Sequence, residues 1–122
     1  MLIPFLISKI HKAKVTGTNL DYAGSIGIDE EIMIKANLRE FQKVEVYNIS
    51  NGNRFATYVI QDQAGSKNIV LNGTAAHLVS KGDTIIIVAY ALIDERELNS
   101  LSSVVLIMND NNQIEKIVNG KL

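Results

Sequence analysis

The 122-residue sequence predicts an all-β domain with a few short helices, its strands closed into a barrel. Three observations carry that expectation. β-Branched residues gather in short runs punctuated by Gly, Asn and Asp, as strands joined by tight turns require. One run, Lys43-Val44-Glu45-Val46-Tyr47-Asn48-Ile49, alternates polar with apolar residues, the pattern of a strand buried on one face. Strands this short and numerous, in a chain with 47% hydrophobic content, need closure to hide their edges. Length and composition place residues 1–122 in one domain without a linker.

Met1 to Ile7 is apolar, has no charged lead-in and is too short for a signal core with a cleavage site, so it reads as the first strand. Asp29-Glu30-Glu31 puts acids in the first turn of a helix over 29–36, where the helix dipole favours them. The alternating strand 43–49 is followed by Asn51-Gly52-Asn53, residues tolerant of positive φ, which turn the chain into a strand over 54–60. Strands are expected over 68–72, 83–91 and 104–109, with a turn at 109–112 into a strand over 113–118. Thr74 to Ser80 reads as a short helix, and Asp94 with Glu97 as the capping box of another.

Lys and Arg number 12 against 13 Asp and Glu, and the net charge of −1 gives no electrostatic footprint for nucleic acid or an anionic membrane surface. The longest apolar run, Thr84 to Ile93, is far shorter than the roughly 20 residues of a membrane-spanning helix. With no cysteine there is no disulfide framework or thiolate metal site, and two histidines alone argue against zinc. No metal is expected, and the cytoplasm is the default location.

The chemistry concentrates in Tyr22-Ala23-Gly24-Ser25-Ile26-Gly27-Ile28-Asp29, where a glycine precedes a serine able to attack its own backbone. The pair is not distinctive by itself, since Gly65-Ser66 repeats it and most such pairs are turns. Its companions are Ser8-Lys9-Ile10-His11, Asn51-Gly52-Asn53-Arg54-Phe55-Ala56-Thr57-Tyr58 and Asn72-Gly73-Thr74-Ala75-Ala76-His77. Together the four blocks resemble the pyruvoyl-dependent aspartate 1-decarboxylases. The resemblance implies a double-psi β-barrel, a homotetramer with active sites between subunits, and conversion of L-aspartate to β-alanine and carbon dioxide for pantothenate and coenzyme A synthesis. It also implies a covalent pyruvoyl cofactor made from Ser25 by self-cleavage into residues 1–24 and 25–122, with or without a maturation factor.

Residue by residue, the resemblance makes Ser25 the attacking hydroxyl and Thr57 the donor to the oxyanion at the Gly24 carbonyl. Gly24 is expected to sit in crowded, strained backbone that a residue without Cβ tolerates best. Tyr58 is assigned the proton return to the α-carbon, since a phenol carries its proton at neutral pH. The planar fork of Arg54 suits a substrate carboxylate. Backbone amides of Asn72, Gly73, Thr74 and Ala75 hold the substrate, Lys9 is an auxiliary charge partner, and His11 makes a local hydrogen bond; His77 has no assignment.

Taken singly, Ser25 reads as a turn serine, Arg54 and Lys9 as solvated charges, and Thr57 and Tyr58 as strand formers. The joint order of the blocks favours the chemical reading. Thr74, Ala56 and Gly27 depart from the family pattern, which commonly has alanine, serine and a larger residue there, and Gly27 is expected to loosen a loop around the scissile bond. Two other classes stay open: a serine hydrolase using Ser25, His11 and Asp29, though without a Gly-x-Ser-x-Gly elbow, and a non-enzymatic barrel serving as a binding module or regulator.

Overall fold

The structure is a computed structural model that describes residues 1–121. Nine strands run in the order β1 (Leu2–Lys14), β2 (Gly17–Asn19), β3 (Ser25–Asp29), β4 (Lys43–Asn48), β5 (Arg54–Asp62), β6 (Ile69–Asn72), β7 (Thr84–Asp94), β8 (Ser102–Met108) and β9 (Ile114–Lys121). One α-helix, α1 (Glu30–Lys35), and two 3₁₀ helices, Gly73–Leu78 and Glu95–Ser100, complete the chain. The fold is all-β with short helices, of the double-psi β-barrel kind.

The strands form one sheet in the order β2-β6-β3-β5-β4-β7-β1-β8-β9, mixing antiparallel ladders with the parallel pairs β1–β8, β2–β6 and β3–β5. Full closure by a ladder, as the sequence led us to expect, is not what joins the ends among the described residues. β2, three residues long, pairs with β6 alone, and β9 at the other end of the order pairs with β8 alone. The chain between β1 and β2 bridges instead: the Val15 amide donates to Asp83 O and the Thr16 amide to Ile69 O, each at 2.9 Å. Asn112, buried in the turn before β9, accepts from the Lys14 amide and donates to the carbonyls of Lys14 and Lys67.

Seven of the nine strands and all three helices fall on expected segments, six of those strands within a few residues of the expected bounds, while β1 runs on to Lys14, seven residues past the expected end at Ile7. β2 and β3 had not been expected. The core gathers the inward side chains Ile10, Ile26, Ile28, Ile69, Leu71, Ile85, Ile87 and Leu106, all essentially sealed from solvent. Asp29 caps α1 by accepting from the Glu31 amide at 2.8 Å, while Asp94 caps its 3₁₀ helix through the Arg96 amide instead of the capping-box partner Glu97. The loop from Asn37 to Gln42 then delivers the chain to β4.

Candidate active site

Ser25 opens β3 inside the sheet, flanked by β6 on one side and β5 on the other, and is only 2% exposed. It pairs with Asn72, whose Nδ2 donates to Ser25 Oγ at 2.9 Å; the hydroxyl donates to Ala23 O at 3.4 Å. A polar hydroxyl at such depth needs these partners, and they hold the oxygen against the backbone just upstream of its own residue.

The next residue, Gly73, has φ +66°, and a Cβ there would lie 2.7 Å from both N and Cα of Gly24 and 3.0 Å from Tyr22 O. Glycine is demanded twice, by conformation and by contact. At Gly24 the sequence-based expectation is overturned. Nothing lies within 4 Å of a Cβ built there, and Gly24 is not among the positive-φ glycines. The crowding belongs to Gly73, because its backbone is the surface on which the Gly24 segment rests. Gly27, expected to loosen a loop, instead sits in β3 paired with Ile60 and Val70, and a Cβ there would come 3.3 Å from Asp62 Oδ2.

A cavity of about 220 Å³ opens beside Gly24, walled by Thr57 and Ala56 of β5 and by Thr74, Ala75 and His77 of the 3₁₀ helix. Two positions that depart from the family pattern, Ala56 and Thr74, therefore face the same space. His77 had no assigned place; its signal was membership of the block that begins at Asn72-Gly73, which the 3₁₀ helix curls around the cavity.

Tyr58 stands beside Ser25 in register, since each precedes a member of the parallel pair Ile26–Val59. Its side chain is at the surface. Arg54 lies four residues earlier on β5, its guanidinium 3.9 Å above the ring of its cross-strand partner Tyr47, a cation–π contact. Desolvation, then a hydrogen bond with Tyr90, pushes the Tyr47 phenol above its ordinary pKa. Lys9 is on β1 opposite Val88, so β5, β4 and β7 separate its strand from that of Ser25. His11 lies next to Lys12, whose φ of 66° marks a bulge in β1. Its Nδ1 is buried without a partner, contrary to the local hydrogen bond expected there, and burial followed by the charges of Lys9 and Lys12 lowers its pKa.

The fold thus brings Gly24, Thr57, Thr74 and Ala75 around one cavity, joins Ser25 to Asn72 and Gly73 to Gly24 next to it, sets Tyr58 beside Ser25 in register, and leaves Arg54, Lys9 and His11 on other parts of the sheet. A Ser-His-Asp relay does not form. The Asp29 carboxylate instead accepts from the amides of Glu31, Gly65 and Lys67 at 2.7–3.0 Å. Burial works to raise its pKa, but those bonds and the Lys67 charge outweigh it and hold it below the usual carboxylate value. Among the described residues no group of three or more His, Asp or Glu side chains is placed to hold a metal, and no helix is long and apolar enough to cross a membrane.

A family model described as aspartate decarboxylase matches residues 1–115. The chain is 54% identical over 118 residues to the aspartate 1-decarboxylase of Sulfurimonas denitrificans, covering 97% of this chain and 98% of that one. It is 51% identical to the aspartate 1-decarboxylase of Aliarcobacter butzleri, over 96% of this chain and 92% of that one. It is also 51% identical to that of Caldicellulosiruptor saccharolyticus, over 98% and 93%.

Proposed function

The chain belongs to the aspartate decarboxylase family, and from that membership we propose that it cuts its own Gly24–Ser25 bond and then converts L-aspartate to β-alanine and carbon dioxide for pantothenate and coenzyme A synthesis. Membership makes it a carboxy-lyase acting on aspartate. The observation that carries the self-cleavage is the Ser25 hydroxyl, buried, held by Asn72 and turned to the backbone of its own segment, with Gly24 resting on Gly73.

In the cleavage, Ser25 Oγ adds to the Gly24 carbonyl and the amide nitrogen leaves it, giving an ester. Loss of the Ser25 α-proton expels the Gly24 carboxylate and leaves dehydroalanine, which water converts to a pyruvoyl group and ammonia. No oxidant is needed. Thr57, in the cavity wall beside Gly24, is the donor for the oxyanion of the first step; such a donor typically lowers the barrier by about 2.7–4 kcal/mol. The residues fit the group, because the Gly73 contact leaves no room for a side chain there and Asn72 supplies a donor at its origin.

Once formed, the pyruvoyl ketone supplies the electron sink that loss of an α-carboxylate requires. The chain's own residues do the rest. Backbone amides of Asn72, Gly73, Thr74 and Ala75 hold the substrate in the cavity, Arg54 binds a carboxylate bidentately, Lys9 adds positive charge, and Tyr58 returns a proton to the α-carbon. Within one chain Arg54 and Lys9 stand away from Ser25, which supports sites that form between subunits, as in the homotetramer that the family resemblance implies. A chain without cysteine needs no oxidising compartment, and we place it in the cytoplasm.

Intact-protein mass spectrometry tests the reading. Purified protein should resolve into residues 1–24 and a ketone-blocked 25–122 and should release β-alanine from aspartate, while Ser25→Ala should stay whole and inert. Active protein with an unbroken chain and an unmodified Ser25 would sink the proposal. Cleavage that begins only when cell extract is added would bring in a maturation factor.

A further inference from the structure

The loop that enters β4 closes a turn from Arg39 to Gln42, with the Gln42 amide donating to Arg39 O at 3.1 Å. Phe41 is its third residue, at φ +69°. The Phe41 amide donates to Val59 O at 2.7 Å and the Val59 amide to Gln42 O at 3.0 Å, so two residues of the loop face one residue of β5. That is the bond pattern of a β-bulge whose first residue takes positive φ and is ordinarily glycine. Here the position carries a phenylalanine, the only aromatic among the non-glycine residues with positive φ in the described chain. A bulky side chain in that region is strained, and with Phe41 74% exposed, burial does not offset the strain.

What the side chain does reach is Tyr58. The two ring centroids are 6.2 Å apart at an interplanar angle of 39°, within the range of favourable aromatic pairs. The loop that carries Phe41 is itself tied down: the Arg39 amide donates to Gln42 Oε1, and Glu40 Oε2 accepts from the Gln61 amide at 2.9 Å. Tyr58, by contrast, is an exposed strand residue whose neighbour Val59 faces the core. A ring at the surface of a strand has several rotamers open to it; one paired with an aromatic carried on an anchored loop has fewer.

We infer that Phe41 is a positioning residue that holds the Tyr58 ring at the Ser25 end of β3, the strain of its turn being the cost of presenting an aromatic side chain there. This rests on the assignment of Tyr58 as the proton donor. A positioning role and a structural role pull in opposite directions on replacement by glycine, since glycine relieves the turn and removes the ring.

The test uses the full-length, self-cleaved protein with Phe41→Gly, Phe41→Tyr, Tyr58→Phe and the double variant Phe41→Gly/Tyr58→Phe. Phe41→Gly should melt no lower than the parent and cleave completely, yet lose about three- to tenfold in kcat with KM nearly unchanged, the range expected for one aromatic pair. Phe41→Tyr should restore kcat. In the Tyr58→Phe background the glycine change should cost nothing further. Independently of activity, the Tyr58 signal in a ring-13C-tyrosine spectrum, identified by its loss in Tyr58→Phe, should move toward its free-chain position in Phe41→Gly. An unchanged Tyr58 signal, an unchanged kcat, or an equal loss of kcat with and without the Tyr58 hydroxyl would each overturn the positioning role. Tyr58→Phe with full turnover would remove the donor assignment itself, and a Phe41→Gly signal shift in that case would leave a ring contact without a catalytic purpose, which also ends the proposal.

Discussion

Two regions of this molecule carry the proposed chemistry, and they are built in opposite ways. Around Ser25 the polar groups are buried and partnered within the chain: Asn72 holds the hydroxyl, the Asp29 carboxylate takes three amides, and the Gly24 backbone lies where a Cβ on Gly73 would have to go. Along β5 and β1, Arg54 and Tyr58 stand at the surface, and Lys9 lies on a strand remote from Ser25 in the sheet. The inner region has what a reaction of the chain upon itself needs. The outer region has side chains suited to a substrate or a neighbouring subunit and little that fixes them from within. Changes at the packed or hydrogen-bonded positions of the first should therefore disturb folding, self-cleavage or both, and changes in the second should disturb turnover alone.

The largest effect is expected from Gly73→Ala. Its Cβ would meet Gly24 backbone atoms at 2.7 Å while the residue is held at φ +66°, so both strain and overlap oppose it, together costing about 2–4 kcal/mol. Thermal melting should show the loss, and mass spectrometry should show the precursor uncut. A normally melting, fully cleaved Gly73→Ala protein would mean that the inner region yields more readily than its contacts state.

Asp29→Asn probes the far end of β3. An amide cannot accept three backbone donors as the carboxylate does, and a loss of about 1–3 kcal/mol in chemical unfolding is expected. The effect has a pH signature. Because the folded-state pKa of Asp29 is depressed, its contribution is complete above the unfolded value of about 4 and disappears as pH falls through the lower folded value. Parent and variant should converge in stability at acid pH; a gap that stays constant below pH 4 would show that the charge is not what matters.

Arg54→Ala belongs to the outer region and should leave melting and cleavage in place while raising KM for aspartate about tenfold or more, the loss of a charge-assisted bidentate contact. Its stacking on Tyr47 is exposed and contributes little to the fold. A parent-like KM would pass the anchoring role to another cation, Lys9 first.

How far the sequence could be read follows the same division. The alternating strand Lys43–Asn48 and the hairpin into Arg54 were legible because one face is wet and one dry, so period-two patterning survives. β3 was not, although it holds Ser25, the proposed nucleophile: all five residues from Ser25 to Asp29 are buried, which erases alternation, and a glycine and an aspartate stand inside it. β2, at three residues, is too short to carry any pattern. The cavity residues Gly24, Thr57, Thr74 and Ala75 were legible as blocks, whereas His77 came into view only when the 3₁₀ helix wrapped it around that space. Nothing in residue order showed that the cramped glycine is Gly73 and the open one Gly24, since that depends on two segments meeting across nearly fifty positions.

The smallest expected effect comes from Gly24 itself, and it discriminates most sharply. A Cβ there meets nothing within 4 Å, and the backbone is outside the left-handed region, so Gly24→Ala should fold as the parent does or gain about 0.4–1 kcal/mol from a less flexible unfolded chain. Against the 2–4 kcal/mol loss at Gly73, two identical substitutions in touching residues would then differ in sign. A marked drop in melting temperature for Gly24→Ala would overturn this picture of the resting chain. If instead the variant folds normally and its cleavage stalls, the need for glycine lies in the motion that brings the Gly24 carbonyl to Ser25 Oγ, because the ground-state packing has room for the methyl group.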